Sequence, residues 1–116
     1  MIEIYRGDTL ELLCNIADNE NSPINLSDYE IRAELCGNGM SIKKANAKVI
    51  GGSDEEISII DIGKIKILFD KTETAQLEPN KTYDIEVEIT SPEGKRMTVI
   101  RDKVLVKPDI IDWESK

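Results

Sequence analysis

An all-β sandwich is predicted by three features of this 116-residue chain. First, several stretches alternate apolar and polar residues with period two, the pattern of half-buried strands. Tyr83, Ile85, Val87 and Ile89 point one way while Asp84, Glu86 and Glu88 point the other, so this strand has a dry side and a wet, acidic side. Second, clusters of turn-forming residues separate these stretches at regular intervals. Third, the run Leu77-Glu78-Pro79-Asn80-Lys81-Thr82-Tyr83 reads as a corner. Leu77 can anchor in a core, Pro79 fixes a turn, Asn80 tolerates positive φ and Tyr83 opens the strand. It is the pattern of a tyrosine corner, where a tyrosine hydroxyl bonds back to nearby backbone. About seven strands, with one short helical turn before the corner, make an immunoglobulin-like Greek-key β-sandwich.

The elements follow in order. Ile2 to Arg6 is a first strand, closed by the turn Arg6-Gly7-Asp8. Thr9 to Ala17 is the second, with Leu10, Leu12, Cys14 and Ile16 inward; Leu13 breaks the alternation and marks a bulge or a contact with another layer. Asp18 to Pro23 is a polar turn cluster, and Tyr29 to Leu35 alternates again. Gly37-Asn38-Gly39 is a strong hairpin signal. In Ser41 to Ile50, Ile42 and then Ala45, Ala47 and Val49 fall on opposite parities, which predicts a bulge near Lys43-Lys44. Gly51 to Glu56 is a loop. Ile57 to Ile62 is a short apolar segment, broken by Gly63 before Lys64 to Phe69. Asp70 with Glu73 three residues on is a capping-box start, giving one helical turn through Gln76. Ser91-Pro92-Glu93-Gly94 closes a hairpin, and the last strand, Lys95 to Val106, resets its phase around Arg101-Asp102. The sandwich thus occupies residues 1–108, ended by Pro108, and 109–116 form a C-terminal tail.

Composition narrows the function classes. Fifteen basic residues against 23 acidic ones leave a net charge of −8, a field that repels nucleic acid and anionic lipid and favours a basic partner. No apolar run is long enough to span a bilayer, and the N-terminus lacks the pattern of a signal peptide. The expected location is a cytoplasm or something assembled there, with no export by signal peptide. Cys14 shares its phase with inward residues and is expected buried; Cys36 falls on the opposite phase to Leu35 and is expected to be more exposed, which argues against a bridge between them.

The chain contains no histidine, which removes the usual general base, the usual zinc ligand and every Ser-His or Cys-His nucleophile pair. Its carboxylates lie on wet strand faces, where nothing raises one pKa selectively. Asp54-Glu55-Glu56 lacks the spaced oxygen ligands of a calcium loop, and no phosphate-binding glycine motif is present. No catalytic residue, cofactor or metal is therefore expected. Arg6-Gly7-Asp8 is sufficiently explained as a turn, and the sequons at Asn25 and Asn80 carry no weight in a chain without an export signal. Ile110, Ile111 and Trp113 are candidate partner contacts: they either fold back on the sandwich as a flap or anchor a neighbour. The corner residues Leu77, Pro79, Asn80 and Tyr83 are structural.

Four segments resemble, in order, small immunoglobulin-like structural proteins of tailed bacteriophages, including the N-terminal domain of baseplate upper proteins. They are I-Y-R-G-D-T-L-E-L, I-N-L-S-D-Y-E-I-R-A-E, G-K-I-K-I-L-F-D-K-T-E-T-A-Q-L-E-P-N-K-T-Y-D-I-E-V-E-I and G-K-R-M-T-V-I-R-D-K-V-L-V, and they span Glu3 to about Val106. The family corner commonly reads L-x-P-G-x-Y; here Asn80 replaces the glycine and one extra residue precedes Tyr83. The resemblance implies a non-catalytic virion or prophage module that docks other virion proteins and forms a homo-oligomer, with the first and last strands as candidate docking edges. A bacterial surface adhesion or carbohydrate-binding module is the main alternative, and an intracellular enzyme accessory or inhibitor domain is a second.

Overall fold

The computed structural model describes residues 1–109. Eight strands and one helical turn follow in the order β1 (Ile2–Tyr5), β2 (Leu10–Asn15), β3 (Glu30–Gly37), β4 (Met40–Ala45), β5 (Ile57–Asp61), β6 (Lys64–Phe69), α1 (Lys71–Thr74), β7 (Thr82–Thr90) and β8 (Arg96–Lys107). They form two sheets, β1-β8-β7-β3-β4 and β2-β6-β5. All pairings are antiparallel except β1 with β8, which run parallel. This is the two-sheet sandwich expected, with eight strands instead of about seven.

Alternation builds the core. Ile31, Ala33 and Leu35 of β3 lie opposite Ile89, Val87 and Ile85 of β7, and all six are buried. Val104 and Val106 extend that surface, while Ile57, Ile65, Ile67 and Phe69 supply the facing layer. Leu26 and Leu77, from connections, fill the ends. Burying side chains of this kind contributes about 1.5–3 kcal/mol each, which is why the inward positions of β3, β6 and β7 tolerate no charge. Asn38 (φ 53°) and Gly39 (φ 80°) make the two-residue turn between β3 and β4; positive φ at both positions matches the twist of the strands it joins.

Four local expectations change. Strand β4 has no bulge at Lys43-Lys44: its register with β3 is continuous, Lys44 shares the inward face with Ile42, and the strand ends at Ala45. Asn46 ends it because its buried amide turns across to β3, donating to the Tyr29 carbonyl and accepting the Ile31 N–H. The reset in β8 lies at Val99, not at Arg101-Asp102, since Val87 pairs with Ile100 and Glu88 with Thr98. Leu13 marks no bulge; β2 pairs with β6 without interruption, and Leu13 simply points outward, 68% exposed. Cys14 is half-buried instead of buried, because β2 is an edge strand with no neighbour on one side.

Candidate functional site

The corner is held by a set of side-chain and backbone hydrogen bonds. Asp70 caps α1 by accepting the Glu73 N–H at 2.8 Å, and Glu73 reaches back to the Asp70 N–H at 2.9 Å. The chain then drops Leu77 into the core, passes the exposed Pro79 and turns at Asn80 with φ 64°. Asn80 N–H donates to Val106 O at 2.7 Å, tying the turn to β8. Tyr83 is 1% exposed and its hydroxyl accepts the Glu78 N–H at 2.9 Å. Its ring packs beside Gly37, where a Cβ would come within 3.2 Å of it. Arg6 donates from Nε to Leu77 O, and Thr74 donates to Asp8 O at 2.7 Å. The Arg6-Gly7-Asp8 turn is therefore bonded into the corner.

Lys44 closes the same region from the opposite sheet edge. Its ammonium donates to both carboxylate oxygens of Glu73, at 2.6 and 2.7 Å, and lies 5.5 Å from the centroid of the Phe69 ring. With its side chain only 8% exposed, this is the one buried ion pair among the described residues. A lysine at an inward strand position gave no sign of this in the sequence, where it read as a break in phase.

The acidic face of β7 is occupied by its own cations. Lys103 meets Asp84 at 2.6 Å, Arg101 donates from Nε to Glu86 at 2.7 Å, and Arg96 lies 3.4 Å from Glu88. An open cleft of about 550 Å³ lies over this face beneath the 46–52 turn, lined by Arg32, Glu34, Lys43, Glu86 and Glu88. Glu34 and Glu86 are opposite in register, yet Ser41 donates to the first and Arg101 to the second. Neither carboxylate stands in an apolar pocket, so the pair is not arranged as an acid and a base. Among the described residues, no three His, Cys, Asp or Glu side chains gather as metal ligands. Glu56 of the acidic loop accepts the Ala45 N–H. Both cysteines are free. Burial pushes the thiol of Cys14 up, and burial together with the carboxylates of Glu34, Asp84 and Glu86 pushes that of Cys36 up, which disfavours the reactive thiolate at each.

Of the two candidate docking edges, β1 is an edge, but β8 is not one along Val104–Lys107, where β1 covers it. Among the described residues the remaining free edges belong to β4, β2 and β5. Ile110, Ile111 and Trp113 lie outside the described residues. No helix among the described residues is long and apolar enough to cross a membrane.

No protein-family model matches the chain, and no curated protein matches it. Among solved structures 23 chains match. One is described as "a putative glycoside hydrolase from Bacteroides vulgatus"; it aligns over 94% of this chain with a TM-score of 0.56 and 10% identity. The chain spans 17% of the length of that protein. At this identity the likeness shows the fold alone.

Proposed function

We propose that this chain is a non-catalytic structural module of a phage or prophage virion, a tail, baseplate or accessory fibre component that acts through protein–protein contacts. The observation that carries the reading is how the polar side chains are used. The corner's hydroxyls and carboxylates bond to backbone, and the carboxylates of β7 are matched by β8 cations. The sheet edges present backbone groups free to pair, the material of docking. The resemblance of the corner and of L-S-D-Y-E-I-R-A to phage immunoglobulin-like proteins supports the virion assignment.

The alternative, a bacterial surface adhesion or carbohydrate-binding module, draws support from the structural likeness to a segment of a much longer protein described as a glycoside hydrolase. Against it, the cleft lining holds no aromatic side chain on which a sugar ring could stack. Mass spectrometry of purified phage particles and of soluble host fractions separates the two. The virion reading expects the chain in the particles at stoichiometric abundance. Its confinement to host fractions, with retention on a polysaccharide column, would replace that reading with the alternative.

A further inference from the structure

Most free strand edges in this molecule are guarded. Strand β1 is only four residues long. Where β8 runs beyond β1 it carries the bulge at Val99, and the Asp102 carboxylate takes the N–H of Lys103 at 2.7 Å. At the end of β4, Glu56 takes the N–H of Ala45 and Ser53 donates to its carbonyl. Strand β5 shifts register between Ile59 and Asp61. Short strands, bulges, charges and covering loops are the devices that keep an edge from pairing.

Strand β2 has no bulge and no bonded covering loop among the described residues; its one guard is the charge at Glu11. Its six residues pair with β6 without a register shift. Ile16 N–H donates to Gly63 O at 2.6 Å, which sets the parity of the ladder. Leu10, Leu12 and Cys14 therefore turn their backbone groups to β6, and Glu11, Leu13 and Asn15 turn theirs outward. Among the described residues, no bond to those three outward-facing backbones is present. On the inner face Leu10, Leu12 and Cys14 remain half-exposed for want of a neighbour, and on the outer face Leu13 stands 68% exposed.

We propose that β2 is a self-pairing edge, and that two copies of this chain join β2 to β2, antiparallel, about a two-fold axis at Leu13. The product is one six-stranded sheet of order β5-β6-β2-β2-β6-β5. Chemistry selects the register. With the axis at Leu13, the two exposed leucines pack on each other, Leu12 meets Cys14 of the second copy, and Glu11 faces Asn15 of the second copy. Asn15 is itself opposite Lys64 on β6, so each Glu11 carboxylate faces an amide with a lysine one strand beyond it and meets no like charge. Moving the axis to Leu12 would instead set each Glu11 against a leucine. The three outward backbones of each chain then exchange about six hydrogen bonds. The inference rests on the contact-module reading and names the surface it uses.

Sedimentation of the full chain tests it, together with cysteine pairing in a Cys14→Ser/Cys36→Ser background. The expected result is a mass rising from one chain toward two with concentration, abolished by Leu13→Lys while the far-ultraviolet spectrum is unchanged. Leu13→Cys forms a disulfide between chains; Glu11→Cys does so with Asn15→Cys but not with itself. A mass that stays at one chain up to about 1 mM overturns the proposal, and so does a dimer that Leu13→Lys leaves intact. A monomer that nevertheless travels with purified particles overturns the pairing while leaving the structural-module reading standing.

Discussion

Tyr83 shows how a single hydroxyl can hold a connection in place. Removing it in Tyr83→Phe leaves the part-buried Glu78 N–H without its protein partner, at an expected cost of about 1 kcal/mol in urea unfolding. Asp70 makes a pH prediction. The Thr72 hydroxyl first, and then the Glu73 N–H, hold its carboxyl below the usual aspartate range. A depressed folded value means the contribution is fully present above the unfolded pKa and is lost as pH falls through the folded one. Asp70→Asn should therefore lower stability at neutral pH, flatten the acid limb of a stability-against-pH curve, and differ least from the parent at the acid end, where the parent has already lost this contribution. Lys44 was the residue least legible in the sequence. A lysine in phase with Ile42 looks like an error of register unless its carboxylate partner is known, and Glu73 lies 29 positions away. Lys44→Met should cost about 2 kcal/mol, less than for a fully buried pair because Glu73 is partly exposed and keeps its bond to Asp70. Adding Glu73→Gln should recover most of the loss in a double-mutant cycle.

At the scale of elements, strands with strict alternation and marked turns were readable, and those ended by tertiary contacts were not. The strand from Tyr83, the hairpin at Asn38-Gly39 and the capping box at Asp70 all follow local rules and form as expected. Strand β4 stops at Ala45 because Asn46 bonds to β3, and the β8 bulge exists only relative to β7; neither partner is local. The 46–56 connection is a fitted piece of structure. Gly52 sits where a Cβ would fall 2.0 Å from the Asn46 carbonyl oxygen, backbone that cannot rotate away. Gly52→Ala should destabilise the protein by more than about 2 kcal/mol, measured as a drop in the urea midpoint at constant m-value. Of the two readings of Leu13, a bulge or a contact, the continuous β2–β6 ladder removes the first; two adjacent leucines in a strand require one of them to face outward, and here it is Leu13.

For the molecule as a whole, the corner and the β7–β8 face bond to themselves, and of the edge strands β2 is the one with an uninterrupted ladder and no covering bond among the described residues. A net charge of −8 keeps such a surface dispersed in general, so any self-association must be local and register-specific. Composition and the absence of histidine direct the sequence reading toward contact instead of chemistry. They could not say which strand makes the contact, because edge and interior strands share the same alternation until the sheet order is known. The most direct measurement is backbone amide hydrogen exchange at Glu11, Leu13 and Asn15 over a concentration series. These three amides should exchange fast in dilute solution and slow together as concentration rises, while those of Leu10, Leu12 and Cys14 stay protected throughout. Exchange that is fast at every concentration, or already slow at the lowest, would contradict an edge held open for a second copy.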